Sequence, residues 1–227
     1  MGEPRVSGRG VLVLAHSVRS SRMEMVGRAQ FLHDAGYSVL LFDAQAHGES
    51  PGEHITFGYL ESRDAQAAVA FAHDKFPEER LGFLGVSQGG AAALLSSPPL
   101  PVQALILEAV YPTLKEAVVD RIGIRLGPIA PILAPLLLVQ VRPRLGVSPD
   151  AIAPIEGIRR IEASLFLIAG DRDRHTRLEE SRRLFDAAPE PKTLWIVQGA
   201  AHEDFHHFTP REYGQRVLDF LARAFGS

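Results

Sequence analysis

Cysteine is absent from the 227 residues of this chain, so disulfides and thiolate chemistry are excluded. The formal net charge is only −3, which indicates no preference for nucleic acid or for acidic partners. The first ten residues lack the apolar core of a signal peptide, so we expect a cytoplasmic protein. Apolar residues make up 46% of the chain, enough for a sheet that is covered on both faces.

Short, continuously apolar runs alternate along the chain with segments of helical period. Because the apolar pattern is continuous, it indicates strands buried on both faces, as in a parallel sheet. The runs are 11–14, 38–42, 81–86, 104–107, 165–168 and 194–197, and the predicted helices are 22–35, 59–76, 90–97, 177–187 and 211–225. This alternation predicts an α/β fold, with a doubly wound, mostly parallel sheet of about six strands flanked by helices, in one domain over residues 1–227.

Residues 111–160 break this alternation, since they stand where a single crossover helix would suffice. Their centre, 127–139, is strongly apolar but contains three prolines and is bracketed by Arg125 and Arg142, so we expect no transmembrane segment. One interpretation is a buried helical hairpin that completes the core. The other is a short helical lid whose apolar face roofs a site and receives an acyl or aromatic group.

The pattern G-x-S-x-G occurs at residues 85–89, between the run 81–86 and a predicted helix. A strand that feeds a helix through this pattern forms a tight turn, so Gly85 and Gly89 are required for their lack of bulk. Ser87 would then lie at the positive end of a helix, where backbone N–H groups face a developing negative charge. The alternative is a glycine-rich turn with an incidental serine.

A nucleophilic serine needs a base and an acid that orients the base. Ligands of a doubly wound sheet bind beyond the carboxyl ends of the strands, so candidates follow the strands directly. His202 follows the last predicted strand, and Asp173 follows the strand before it. We therefore predict a triad of Ser87, Asp173 and His202.

Other residues near these positions compete for the same roles. Asp171 is expected to cap its own turn, whereas Glu108, at the end of the strand after Ser87, could also reach the histidine loop. His206 and His207 are the rival bases, but they lie further from the strand end.

Residues 202–206 also match H-E-x-x-H, the zinc-binding pattern of metalloproteases. That site needs both histidines on one helical face and a third ligand. Gly199 and Pro210 leave too little room for such a helix. We expect no metal and no organic cofactor.

Residues 85–89, 170–173 and 199–202 resemble the elbow, acid and histidine motifs of the α/β-hydrolase superfamily. Residues 14–19 and 42–50 resemble its branch of esterases, monoacylglycerol-lipase-like enzymes and serine aminopeptidases. The resemblance covers nearly the whole chain. It implies an α/β-hydrolase fold and catalysis through an acyl-enzyme.

The resemblance also implies that the backbone N–H groups of Val18 and Gln88 form an oxyanion hole. Ser17 stands where the branch usually has glycine, which bears on the geometry of that hole. Gln-Ala at 45–46 replaces the usual Arg-Gly and bears on how the next loop is anchored. We interpret His47 in that loop as structural.

The function expected from these residues is that of a serine carboxylesterase. Its substrates would be small-molecule esters with short- to medium-chain acyl or aryl groups. A thioesterase or an amidase or peptidase would use the same triad, and the fold also occurs in non-catalytic binding proteins.

The superfamily usually begins with an antiparallel pair of strands, whereas here the first predicted strand starts near residue 10. We therefore expect an N-terminally abbreviated fold with the strand 38–42 at the sheet edge. An exposed apolar edge invites pairing, so we expect either a homodimer through this edge or cover from residues 1–9.

Overall fold

The computed structural model describes residues 8–226, and its sheet is parallel throughout. The strands are β1 (Val11–Ala15), β2 (Ser38–Leu41), β3 (Leu81–Val86), β4 (Ala104–Glu108), β5 (Ser164–Gly170) and β6 (Lys192–Val197). Their order in the sheet is β2-β1-β3-β4-β5-β6, and all neighbouring pairs are parallel. The predicted strands and the predicted α/β class are confirmed.

Helices fill the connections between strands. They are α1 (Val26–Asp34), α2 (Glu61–Lys75), α3 (Gln88–Leu95), α4 (Leu114–Leu126), α5 (Ala130–Leu138), α6 (Val141–Leu145), α7 (Pro154–Gly157), α8 (Leu178–Ala187), α9 (Phe205–Phe208) and α10 (Pro210–Phe225). The helix after the G-x-S-x-G pattern starts two residues earlier than predicted, at Gln88. Its first turn therefore contains Gly89, which the sequence pattern assigns to the turn before the helix.

The sheet is buried on both faces because successive residues of a strand point to opposite sides. Val11 and Val13 of β1 belong to a core on one face, under α2, α3 and α8. Leu12 and Leu14 belong to a second core on the other face, under α1 and α10. This double burial is the physical reason for the continuous apolar runs.

The register of the strands brings their carboxyl ends to one edge. Val86 pairs with Glu108, Glu108 pairs with Ile168, and Gly170 pairs with Val197. The residues that follow β3, β5 and β6 therefore lie along the same edge of the sheet.

The segment 111–160 contains α4 to α7, and few of its apolar side chains are buried. The bulky apolar residues exposed on it are Leu126, Ile129, Ile132, Leu136, Leu137 and Val139. The interpretation as a buried hairpin is therefore wrong for α5, whose buried residues are Ala130 and Ala134. Whether the segment acts as a lid stays a prediction.

The helical run Leu114–Leu138 is long and apolar enough, by length and composition, to cross a membrane. Its most apolar window is only 11% buried. The three prolines do not end the helical run, contrary to the expectation from the sequence. Asp120, within the run, is buried and pairs with Arg177 of the loop before α8. The absence of a transmembrane segment stays a prediction.

Strand β2 lies at an edge of the sheet, as expected. Its four residues are half-buried, and α1 packs against it. Most of the cover expected from residues 1–9 lies outside the described residues. A homodimer through this edge stays a prediction.

Candidate active site

Ser87 lies in a strained turn between β3 and α3. Its φ is 49° and its ψ is −108°, a region that residues with a side chain rarely adopt. A Cβ on Gly85 would lie 2.5 Å from the backbone N of Gly90, and one on Gly89 would lie 2.5 Å from the carbonyl oxygen of Ala15. The prediction that both positions require glycine is therefore confirmed.

His202 and Asp173 are joined directly. His202 Nδ1 donates to Asp173 Oδ2 at 2.7 Å, and the Asp173 side chain is only 1% exposed. The other oxygen, Oδ1, accepts from the backbone N–H groups of His175 at 2.7 Å and Thr176 at 2.9 Å. With its proton on Nδ1, the imidazole keeps a free electron pair on Nε2.

Ser87 lies at the same sheet edge, but it is not joined to the imidazole by a hydrogen bond. Among the described residues, the hydrogen bonds of Ser87 are made by its backbone, including one from its N–H to the carbonyl oxygen of Glu108 at 2.7 Å. Catalytic hydrogen bonds are often long without substrate and shorten in the reactive complex. The structure thus joins Asp173 to His202 and places Ser87 at the carboxyl end of β3, along the same sheet edge. The triad of all three residues stays a prediction.

The two rival acids have other partners. Asp171 Oδ1 accepts from the N–H of Gly199 at 2.6 Å, so it supports the loop that carries His202. The carboxylate of Glu108 is bound by Arg28 and by the hydroxyl of Tyr213. Asp173 is the acid that contacts the imidazole.

The H-E-x-x-H pattern does not form one helical face. Helix α9 begins only at Phe205, with Asp204 as its N-terminal cap, so His202 precedes the helix. The His206 ring stacks on Phe31 at 5.2 Å and meets Tyr213 edge-on at 5.3 Å. The two imidazoles have different partners, and in the described part of the chain no cluster of three or more potential ligands suits a metal ion.

Gln88 opens α3 and Val18 lies in the turn after β1, and their role as oxyanion-hole donors stays a prediction. Gln88 is the first residue of α3, so its N–H has no acceptor within the helix. Ser17, before Val18, donates from its backbone N at 2.9 Å and from its hydroxyl at 2.8 Å to Glu24 Oε2. Glu24 therefore holds Ser17 through two hydrogen bonds, of which a glycine at this position could form only the backbone one.

His16 anchors the same turn as a neutral imidazole. Its Nδ1 donates to the carbonyl oxygen of Ser17 at 2.8 Å, and its Nε2 accepts from the N–H of Ala44 at 3.1 Å. Burial lowers the pKa of His16 from its ordinary value of 6.5. Protonation of Nε2 would remove the acceptor for Ala44.

We expect this histidine to make the protein less stable in acid. A lowered pKa means that its contribution is complete above about pH 6.5 and is lost as the pH falls below that value. The free energy of urea unfolding, measured at about pH 7.5 and about pH 5, should fall less in His16→Gln than in the unchanged protein. His73→Gln, at an exposed histidine, is the matched control; an equal pH dependence of His16→Gln and wild type would contradict the prediction.

Gln45, one of the two residues that replace the usual Arg-Gly, anchors the loop before His47. The backbone N–H of Gln45 donates to Asp64 Oδ2 at 2.8 Å, and its side-chain amide donates to the carbonyl oxygen of His54 at 2.9 Å. His47 Nδ1 donates to the carbonyl oxygen of Gln45 at 2.7 Å. These contacts agree with a structural role for His47.

A buried ionic network lies next to the site, and none of the sequence motifs predicts it. The Arg28 guanidinium, 1% exposed, binds Glu108 through Nε at 3.1 Å and Nη2 at 2.7 Å, and binds Asp204 at 2.9 Å. Burial is the largest single influence and would lower the pKa of Arg28, but the charge and hydrogen bond of Glu108 together with Tyr213 and Asp204 outweigh it, and the pKa is raised. The network links α1 to the strand end beside Ser87 and to the loop after His202.

His175 is a second residue that the motifs do not indicate. Its ring lies 5.0 Å from that of His202, and its Nδ1 is buried without a hydrogen-bond partner. Burial, with the nearby His202, lowers the pKa of His175. A histidine two residues after the acid carries no recognisable pattern, so only the fold reveals this neighbour.

Residues 7–153 match the family model described as "Serine aminopeptidase, S33", which is about two thirds of the chain. The chain belongs to this family. It is 33% identical over 201 residues to the uncharacterized protein Rv2307c of Mycobacterium tuberculosis, which covers 87% of this chain. The chain spans 64% of the length of that relative.

Solved structures share the α/β-hydrolase fold of this S33-family chain. The Pyrococcus furiosus esterase Pf2001 is 27% identical, with a TM-score of 0.75 over 95% of this chain and 83% of that structure. A monoacylglycerol lipase of Paleococcus ferrophilus is 22% identical, with a TM-score of 0.69 over 96% of this chain and 95% of that one, a likeness of fold alone. The resemblance to the α/β-hydrolase superfamily is confirmed.

Proposed function

We propose that this chain is a serine carboxylesterase-type hydrolase. Ser87 is the nucleophile, His202 the base and Asp173 the acid that orients it. The observation that carries the proposal is the 2.7 Å bond between Asp173 and His202, at the sheet edge where Ser87 is held at a φ of 49°. Membership of the S33 family and the name of the Pyrococcus furiosus esterase support it.

The proposed reaction has two stages. His202 Nε2 takes the proton of Ser87 as its oxygen attacks the ester carbonyl, and the N–H groups of Val18 and Gln88 bind the oxyanion. The alcohol leaves with that proton, and water then hydrolyses the acyl-serine with the same imidazole as base. Asp173 keeps the proton on Nδ1 and stabilises the imidazolium in both stages.

The substrates that we propose are esters with short- to medium-chain acyl or aryl groups. A cavity of about 320 Å³ lies between the segment 111–160 and the loop after β5, and its lining includes Ile124, Pro128 and Pro131 as well as Asp173. Apolar side chains thus form one wall of a space that reaches the proposed acid. The same cavity is also lined by Asp120, Arg174 and Arg177, so we assign the uncharged acyl or aryl group to its apolar wall.

Peptide or amide hydrolysis is the second candidate, favoured by the description of the matched family. The same triad cleaves both bond types, so the leaving group decides between them. A series of p-nitrophenyl esters from acetate to laurate, run beside aminoacyl p-nitroanilides, separates the two. We expect higher kcat/KM for esters; faster anilide cleavage would favour the aminopeptidase, and no turnover of either would favour a binding protein.

Asp173→Asn tests the orienting acid. The amide can donate to Nδ1 and so select the wrong tautomer, and we expect kcat to fall about 10⁴-fold. The matched control is Glu203→Gln, beside His202, where the amide oxygen can still accept from the N–H of Ala201. The control should stay within about threefold of wild type, because Glu203 has no proposed role in the reaction. Equal losses from the two changes in steady-state kinetics would refute the role of Asp173.

A further inference from the structure

In α5 and the residues next to it, small side chains are buried and most of the large apolar ones are exposed, the reverse of a helix that packs in a core. Ala130 and Ala134, one turn apart, are buried at 2% and 1% exposure. The large side chains Ile129, Ile132, Leu136 and Val139, spaced three and four residues apart, are 48%, 75%, 63% and 70% exposed. A helix that serves only the core buries its large side chains, because burial of apolar area stabilises the fold.

Cations flank this apolar stripe. Arg125 in the last turn of α4, and Arg142 and Arg144 in α6, are exposed, and none of them forms an ion pair within the described residues. Residues 122–149 contain no aspartate or glutamate, although the whole chain has a net charge of −3. We call this surface the lid face: Arg125, Leu126, Ile129, Ile132, Leu136, Leu137, Val139, Arg142 and Arg144.

The charge of the lid face selects its partner. A symmetric dimer through this face would bring its unpaired arginines against those of the second copy, an arrangement that repulsion disfavours. An anionic surface instead neutralises the arginines while the apolar stripe enters an apolar layer. Large apolar side chains together with arginine on an exposed helix are typical of helices that lie in a membrane interface.

The segment is also held on the protein, which favours lying on a bilayer over crossing it. Asp120 of α4 is buried and pairs with Arg177 at 3.0 Å, and Glu116 of α4 pairs with Arg183 of α8 at 2.6 Å. Crossing a bilayer would break both pairs and would expose the packed faces of Ala130 and Ala134. Lying on the surface breaks neither.

We propose that the lid face docks this protein on the surface of an anionic phospholipid bilayer. The apolar stripe of α5 enters the boundary between headgroups and acyl chains, and the arginines contact lipid phosphates. Docking on a bilayer is a property separate from the proposed function and does not depend on ester hydrolysis.

Co-sedimentation of the full chain with vesicles tests the proposal. The vesicles contain phosphatidylcholine alone, or phosphatidylcholine and phosphatidylglycerol at about 3 to 1. We expect binding to the anionic vesicles that weakens at least tenfold between about 0.05 and about 0.5 M salt, because salt screens the arginines. Equal binding to both vesicle types, or no binding to either, would overturn the proposal.

Variants locate the binding surface. Arg142→Gln with Arg144→Gln should weaken binding to anionic vesicles about fivefold per arginine. Ile132→Ser with Leu136→Ser should weaken it at least tenfold, since about two buried apolar side chains are lost. The matched control is Phe71→Ser on α2, where an exposed aromatic residue (52%) lies outside the lid face and binding should not change.

Far-UV circular dichroism and thermal unfolding show whether each variant is folded. We expect all of them to be folded, because the changed residues are exposed. Light scattering on the same samples measures whether a second copy of the chain, rather than a bilayer, binds the lid face. Folded lid-face variants that bind vesicles as well as wild type would overturn the proposal. The proposal would also be overturned if wild type forms a dimer and does not bind vesicles, and if the Ile132→Ser, Leu136→Ser variant is a monomer.

Discussion

Ser87→Ala is expected to lower kcat/KM for p-nitrophenyl esters by about four to six orders of magnitude. The loss is large because the proposed acyl-enzyme forms on the Ser87 hydroxyl, which alanine lacks. The remaining rate would come from oxyanion binding and substrate positioning alone. Ser20→Ala, at a half-buried serine in the turn after β1, is the matched control and should keep full activity.

A fluorophosphonate probe separates loss of the nucleophile from loss of the fold. Mass spectrometry should place the label on Ser87 in wild type and in Ser20→Ala, and should find none in Ser87→Ala. Because Ser87 has a φ of 49°, Ser87→Gly should be at least as stable as Ser87→Ala in thermal unfolding. An active, unlabelled Ser87→Ala variant would refute the nucleophile.

Arg28→Met is expected to have the largest effect on stability, lowering the free energy of unfolding by about 3–5 kcal/mol. The methionine fills much of the same space, but it leaves the Glu108 carboxylate buried without its cation. Arg216→Met is the matched control, since Arg216 pairs with Glu212 on the surface, with both side chains about half exposed. Such a surface pair contributes less than about 1 kcal/mol.

A second substitution shows whether the buried charge is the cause. Glu108→Gln keeps an acceptor for the Tyr213 hydroxyl and removes the negative charge, so it should partly restore stability to Arg28→Met. Urea unfolding of the two single variants and of the double variant gives the coupling. Additive losses would mean that the network contributes packing alone, and the charge argument would be wrong.

The alternation of apolar runs and helical segments predicted the sheet well, because burial on both faces leaves a local signature in each strand. The elbow was predicted from Gly85, Ser87 and Gly89. The limit on a Cβ at Gly85 acts within the turn itself, against Gly90, whereas the limit at Gly89 comes from Ala15 of the distant strand β1. Asp173 and His202 were predicted from their positions after strands, because parallel strands bring their carboxyl ends to one edge.

Other features depend on residues that are far apart in the chain. Arg28 and Glu108 are 80 positions apart and meet only across the packed α1 and β4. Neither residue lies in a pattern of its own, so no local signal could pair them. The contact of Ser17 with Glu24, which accommodates the departure from the family's glycine, depends likewise on how the turn folds back on the start of the next helix.

The sequence by itself determined the fold class, the tight serine turn and the short set of candidate acids and bases, because these follow from patterns within single elements and from the order of the strands. Only the tertiary structure decided that Asp173, rather than Glu108 or Asp171, contacts His202. It also decided that α5 turns Ala130 and Ala134 inward and Ile132, Leu136 and Leu137 to solvent. A helix with the apolar composition of α5 can be either buried or exposed. Which side chains are covered depends on the elements packed against them.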